Sequence, residues 1–496
     1  MADAAAVRRW LEGGAAGVKR VRDQLDAINV FPVADSDTGT NLYLTLREGN
    51  RAVGKLPAGA THAEVVAAFA QGSLLGARGN SGVITGAYLS GFLRAVDALG
   101  GLAQVDGAGL AGALEAAADA AYGAVGAPVE GTILTVARSA ATAARGAAAS
   151  GATTGGTAVA TVVGARAALT RTQAELRQAR EAGVVDAGAA GLVVMLEALA
   201  AELAGPDALA GFGEVEWSTG APPAPAAPEP HARGGGFEVM FVCVSRGDLR
   251  SHLTTRLEAL GESVAVTGSH GLWHAHVHTQ RPGDAVRVAM LTGARKVVVR
   301  GLDDHAMDAS TVVALTTCPG LAEALAEAGS CVVVFPAPDD VPRKDLKRAV
   351  RDAVGASGVV VAGNPTLLAA AKRLADKRRG PALTVIDAAH EAHVVAAMAA
   401  AALATPGESV AERMADAVAR TVVLDTTEGD LDDDVDMLIS RRTEVVTVIV
   451  GRGVDPAVAG RVRLSVASVA PGADVAVYEG DQLSPAIAVG VEDAAP

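Results

Sequence analysis

The sequence predicts a multidomain chain: an N-terminal all-α helical bundle or barrel followed by two α/β domains. Three observations carry this. At 496 residues the chain is too long for one core. Apolar residues recur at three- and four-residue spacing up to about Gly211, then switch to strand-like runs. Between the two regimes lies "STGAPPAPAAPEPHARGGG" (218–236), with five prolines in Pro222–Pro230 and then three glycines. That composition makes an extended spacer ending in a flexible hinge. The expected blocks are 1–211 helical, 212–236 linker, 237–305 a small α/β domain and 306–496 a larger α/β domain.

In the first block, "AAVRRWLEGGAAGVKRVRDQLDAI", "HAEVVAAFAQGSLLGA" and "AAGLVVMLEALAAELA" read as amphipathic helices bounded by Gly or polar residues. Half of all residues are apolar, many of them Ala, and aromatics are only 3%. Small side chains at the contacts suit closely packed helices. Beyond the spacer, "FEVMFVCV", "SVAVTG", "LWHAHVHT" and "RKVVVRGL" read as strands, with helix-like "GDLRSHLTTRLEAL" and "PGDAVRVAMLT" between them. From about Ala309, "STVVALTT", "SCVVVFPA", "SGVVVAG" and "ALTVIDA" alternate with helices, which predicts a mostly parallel α/β domain. The end, "EVVTVIVG" through "DVAVYEGDQLSPAIAVGVE", continues in the same style.

Composition also excludes classes of function. A net charge of −14 argues against non-specific nucleic-acid binding, so no nucleic-acid partner is expected. It further requires metal ions or backbone amides wherever a nucleotide is held. No transmembrane segment is expected: Val394–Ala404 is too short and Gly146–Ala165 is rich in Thr and Gly. The N-terminus lacks the apolar core of a signal peptide. Cys243, Cys318 and Cys331 are unpatterned, so the expected setting is the reducing cytoplasm, without a disulfide framework.

The most informative stretch is "NVFPVADSDTGTN" (29–41), where two carboxylates stand one residue apart. An EF-hand loop starting at Asp35 would need an acid or amide at Gly39 and a Glu at Leu46, so that reading fails. A haloacid-dehalogenase-type phosphatase is disfavoured by Gly39 and by Pro32 in the preceding strand. Taken alone, the stretch favours an Asx-turn capping a helix that begins near Thr40. Three Gly-rich loops shift the balance: "GARGNSGVI" (76–84), "PVEGTILTVAR" (128–138) and "GVVDAGAAGL" (183–192), each at the mouth of a helix. Unobstructed amides at helix N-termini bind phosphate. Asp35 and Asp37 could then hold Mg²⁺ that bridges the phosphates.

Together these four loops resemble the nucleotide-binding motifs of the dihydroxyacetone kinase L-subunit family. More closely, they resemble bacterial fatty acid kinases, which act on an acyl chain held by a separate binding protein. The resemblance extends over the chain in block order and in the ending "YEGDQLSPAIAVGVE". It implies a helical barrel with ATP at one end and two Mg²⁺ held by clustered acids. Position by position, it implies Asp35 and Asp37 as metal ligands, with Asn29 as a third. Thr38 and Asn41 would contact phosphates or nucleotide, Ser81 and Gly82 would cover the phosphates, Thr132 would line the pocket, and Asp186 would lie near ribose or metal. Arg78 is either an extra cation for the transition state or a solvated loop arginine.

Four of the ten histidines fall in "SHGLWHAHVHT": His270, His274, His276 and His278. On a strand the last three share a face, and an i, i+2 pair suits zinc; the bland alternative is an exposed strand face. The same family resemblance implies zinc at His276 and His278, with Glu238 where relatives carry a cysteine. Cys243, five residues along the same strand, should face away. A second departure is "FPAPDDVPRK" (Phe335–Lys344), where relatives have a Gly-Gly-Gln-Thr-type turn.

The reading is an ATP- and Mg²⁺-dependent kinase that phosphorylates the carboxylate of a fatty acid presented by a fatty-acid-binding partner protein, with a homodimer as one option for assembly. The alternatives are a glycerone-type kinase on a small hydroxyketone, and a non-catalytic nucleotide-sensing scaffold.

Overall fold

The computed structural model describes residues 2–34, 36–212, 216–218, 236–269, 271–302, 311–354, 357–376, 382–405 and 407–494. Asp35, His270 and most of the 212–236 linker lie outside these described residues.

The helical region runs α1 (Ala2–Ala27), α2 (Thr38–Val53), α3 (His62–Gly76), α4 (Gly79–Ala98), α5 (Gly107–Tyr122), α6 (Ile133–Ala149), α7 (Thr154–Glu175), α8 (Arg177–Ala182) and α9 (Ala187–Ala204). Side chains define most of the starts. Thr61 and Glu64 form a capping box on α3, and Asp106, Thr132, Thr153 and Asp186 cap α5, α6, α7 and α9. The interior is mostly alanine and leucine, anchored by Trp10, whose ring meets Phe92 edge-on at 5.0 Å. The Trp10 indole donates to the Met195 carbonyl of α9 at 3.1 Å. By length and hydropathy α9 could cross a bilayer, but it is mostly buried in this helical core.

After the spacer come β1 (Phe237–Val244), α10 (Arg250–Glu258), β2 (Gly261–Ser269), β3 (Leu272–Thr279), α11 (Pro282–Leu291), β4 (Ala294–Gly301), β5 (Thr311–Thr316), α12 (Ala322–Glu327) and β6 (Cys331–Val334). The chain continues through α13 (Arg343–Val354), β7 (Ser357–Ala362), α14 (Pro365–Ala375), β8 (Ala382–Val385), α15 (Glu391–Ala402), α16 (Val410–Arg420) and β9 (Thr421–Thr426). It ends with α17 (Leu431–Leu438), β10 (Thr443–Val450), α18 (Val458–Val469), β11 (Asp474–Glu479) and β12 (Ile487–Asp493).

Two compact units result: residues 1–234 with 244–278, and residues 235–243 with 279–496. The chain passes between the units at 234/235, at the end of the Pro-rich spacer, and again at 243/244 and 278/279. In the first unit, β2 bonds to the turn after α5, with Gly126 N donating to Val264 O at 3.1 Å and Val266 N to Ala124 O at 2.8 Å. Ala265 packs on Ala77 and Val83. Composition reveals the hinge but not which side β2 returns to.

In the second unit, strands run in the order β1-β4-β6-β5-β7-β8. The expected parallel pairing holds for β6, β5, β7 and β8, whereas β1–β4 and β4–β6 are antiparallel. The ending is not a continuation of this sheet. It forms a second one, β11-β10-β12-β9, in which only β10–β11 is parallel. Helix α18 crosses over between β10 and β11, while the short 480–486 turn returns β12 antiparallel. The divergent "FPAPDDVPRK" forms a 3₁₀ turn at Pro338–Asp340 and the start of α13, tied to α14 by the Thr366 hydroxyl donating to Asp339 at 2.6 Å. Cys243, Cys318 and Cys331 are all buried and free.

Candidate functional site

Helix α2 begins at Thr38 with Asp37 at its N-cap position, yet the Asp37 side chain makes no capping bond. The cap comes from α1 instead. Asp26 accepts from Thr40 N at 2.9 Å and from the Thr40 hydroxyl at 2.7 Å. The bland role of Asp37, closing its own helix, is therefore already filled. Gly39 is required by this clasp, because a Cβ there would collide with the Arg22 carbonyl of α1. Burial holds the Asp26 carboxyl above its ordinary range and the Asp37 charge adds to the rise, while hydrogen bonds from Thr40 and Gly39 oppose it.

The start of α4 folds over the same point. Buried Thr38 donates its hydroxyl to Asn29 Oδ1 at 2.7 Å and lies 3.3 Å from the Ser81 hydroxyl. Asn29 also donates to Val33 O at 3.3 Å. Gly79 has φ 54, and a Cβ on it would strike the Asn41 side chain. The loop thus reaches Asn41 only because glycine is there. Arg78, half-buried, holds the N-cap position of α4, and its carbonyl accepts from Gly82 N at 3.0 Å.

A second pair of helix starts meets beside them. Thr132 caps α6, donating to Val129 O at 2.7 Å. Asp186 caps α9, accepting from Ala189 N at 2.7 Å and from Ile133 N at the head of α6. Burial pushes Asp186 up to about 6, against the pull of those two amides. The two pairs are neighbours, since a Cβ on Gly191 in the first turns of α9 would collide with Leu42 in the first turns of α2. The N-terminal ends of α2, α4, α6 and α9 therefore gather at one place, concentrating positive backbone charge beside Asp26, Asp37 and Asp186. An anion with bound cations suits that pattern.

Asp37, Thr38, Asn41, Ser81, Gly82, Thr132 and Asp186 thus fall on adjoining helix starts, with Asn29 just past the end of α1 bonded to Thr38 and Arg78 at the N-cap of α4. Asp26 is the residue that sequence reasoning missed. Its signal was a carboxylate in the last turn of α1, where the helix dipole disfavours negative charge.

The histidine strand is separate. His274, His276 and His278 are all buried, so β3 is not the exposed face of the bland reading. The His276 and His278 rings lie 4.8 Å apart, centre to centre. His276 Nδ1 is 3.1 Å from the Ser263 carbonyl, and Ser263 has the left-handed φ of 56. These histidines belong to the first unit, whereas Glu238 belongs to the second. There buried Glu238 pairs in register with Arg300 of β4, whose Nε is 3.5 Å from the carboxylate. The Cys243 thiol is engaged by the Thr292 side chain, and burial pushes it up.

Residues 32–201, which hold the loops after Pro32, match the family model of the DAK2 domain. Residues 234–304 match the model of the middle domain of FakA-like fatty acid kinase proteins. Two parts of the chain are thus similar to a DAK2 domain and to a FakA-like middle domain, in that order along the sequence. It is 38% identical to Protein YloV of Bacillus subtilis over 192 residues, 39% of this chain and 34% of that one. An uncharacterized protein of Staphylococcus haemolyticus is 36% identical over 192 residues, again 39% and 34%. One of Staphylococcus epidermidis is 25% identical over 397 residues, 73% of this chain and 70% of the relative. The match to the first two relatives spans about a third of their length.

Proposed function

We propose that the protein is an ATP- and Mg²⁺-dependent kinase that phosphorylates the carboxylate of a fatty acid presented by an acyl-binding partner protein, acting in the cytoplasm. The observation that carries this is the meeting of four helix starts around Asp26, Asp37 and Asp186. The donor set fits Mg²⁺, which takes carboxylate oxygens, and bound Mg²⁺ would supply charge neutralisation for the phosphates. Asp35, Asp37 and Asn29 are the ligands we assign, with Asp186 beside them. Amides of α2 and α4 with Thr38 and Ser81 orient phosphates, and Thr132 lines the nucleotide. A substrate carboxylate is already ionised at neutral pH, so no general base is needed. Its oxygen bonds to the γ-phosphorus as the bond to the ADP oxygen breaks, and positioning does the rest.

The test is ADP release on adding a fatty-acid-loaded acyl-binding protein, with acyl phosphate trapped by hydroxylamine as the hydroxamate. Both signals are expected. ADP release with dihydroxyacetone and none with the acyl carrier would replace the substrate, and no ADP release with either would end the kinase reading.

We further assign His276 and His278, with Glu238, as a zinc site. The buried, adjoining imidazoles support it. A His276 Nδ1–H turned to a backbone carbonyl leaves Nε2 as the ligand atom, a common arrangement around zinc. The Arg300 guanidinium beside Glu238 works against it, competing for the carboxylate. Metal analysis of purified protein should find about one zinc per chain. Glu238→Ala should lower that content and Cys243→Ser should not. Protein that is zinc-free under both metal-replete and ordinary growth would reduce the histidines to buried polar contacts.

A further inference from the structure

In the first unit, α3, α4, α10 and β2 enclose a small recess lined by Ser73, Ser90, Arg94, Arg250, Thr267 and Gly268 among others, none of them acidic. Ser90 and Arg94 are one helical turn apart on α4 and so share a face. Arg250, at the start of α10, donates Nη1 to the Gly123 carbonyl, which fixes its fork. Thr267 is buried on β2, whereas Arg94 lines the recess and is exposed overall. Among the described residues, Arg94 has neither a hydrogen bond nor an ion pair. Burial, and then the charge of Arg250, both lower its pKa, with no carboxylate to raise it. Two arginines therefore line one opening whose own lining holds no carboxylate, an arrangement that an anion would relieve.

The space chooses the anion. The enclosed volume is about 20 Å³, room for roughly one water-sized group. It admits a single oxygen atom, and the remaining atoms of a small anion would sit at the mouth beside exposed Arg94. Two guanidinium forks plus the Ser90 and Thr267 hydroxyls offer more donors than a carboxylate's four lone-pair sites can accept. Three terminal phosphoryl oxygens match them better, and paired arginines suit that geometry. We propose that Arg94 and Arg250 form a binding site for a phosphoryl group, separate from the helix starts around Asp37. Ala77 and Val83, which flank the Arg78–Gly82 loop, form the wall between the recess and that loop.

The experiment is calorimetric titration of the full-length protein, in phosphate-free and low-chloride buffer, with inorganic phosphate, methyl phosphate and acetate. Wild type should bind phosphate, and Arg94→Gln and Arg250→Gln should each weaken it by about tenfold or more, as loss of a charged hydrogen-bonding partner does. Arg94→Lys should fall between, keeping the charge without the fork. Methyl phosphate binding as well as phosphate would identify a phosphorylated metabolite as the ligand, and phosphate alone would identify the free ion. Phosphate held at the Asp37 loops does not depend on these arginines, so the variants separate the two sites whether or not the protein is a kinase. Should Arg250→Gln not fold, Arg94→Gln and Arg94→Lys decide the matter, because Arg94 is exposed. No phosphate binding to wild type, equal binding in the Gln variants, or acetate binding as tightly as phosphate would each overturn the proposal.

Discussion

Asp37→Asn should lower ATP turnover by about a thousandfold or more while leaving the thermal unfolding transition near its wild-type position. In the proposed function an amide cannot replace a charge assigned to hold a cation against the phosphates, and a loss of several kcal/mol in transition-state stabilisation corresponds to that factor. The fold should survive because the α2 cap is supplied by Asp26, not Asp37, and Asn is itself well tolerated at an N-cap. Asp35→Asn should behave alike on the strength of the sequence. Steady-state ADP release at saturating Mg²⁺, with calorimetry of Mg-ATP binding beside it, measures the effect. Wild-type turnover in both variants would sink the assignment of these carboxylates.

Asp186→Asn should raise the apparent melting temperature of nucleotide-free protein at pH 7.5 and change it little near pH 4. The Asp186 carboxyl titrates at about 6 in the folded protein, against 3.8 for the ordinary group. A group whose folded pKa is raised contributes stability that is complete below pH 3.8 and is lost as pH climbs through about 6. Above that, burying the ionised form costs on the order of 3 kcal/mol, at about 1.4 kcal/mol per pKa unit. Asn removes that cost and keeps the acceptor that caps α9 for Ala189 N. The same change should weaken Mg-ATP binding, since the discarded charge is what a nearby cation would compensate. Melting curves across pH 4 to 8 with and without Mg-ATP report both effects. A variant no more stable than wild type at pH 7.5 would show that Asp186 is solvated or already neutralised.

Much of this was legible in the chain. Three-to-four spacing located α1, α3 and α9, and strand-like apolar runs placed β1 and β3. Local periodicity did not reveal the second sheet, because whether β12 pairs parallel or antiparallel depends on partners far away in sequence. The return of β2 onto α3 and α4 was hidden for the same reason. In the candidate site, the polar motif residues stood out by composition. Asp26 did not, since its partner Thr40 lies beyond the intervening loop and its meaning emerges only when α1 and α2 are side by side. The Arg94–Arg250 pair escaped notice likewise, as neither residue belongs to a motif.

The placement of the three tryptophans has a spectroscopic consequence. Trp10, Trp217 and Trp273 all lie within residues 1–234 and 244–278. Intrinsic emission excited at the red edge, where tyrosine does not absorb, therefore sees one unit, while the other, from Thr279 onward, is dark. Denaturation followed by emission reports the helical unit that holds Asp186, and far-ultraviolet dichroism reports both. Any gap between the two curves would be the optical signature of independent melting.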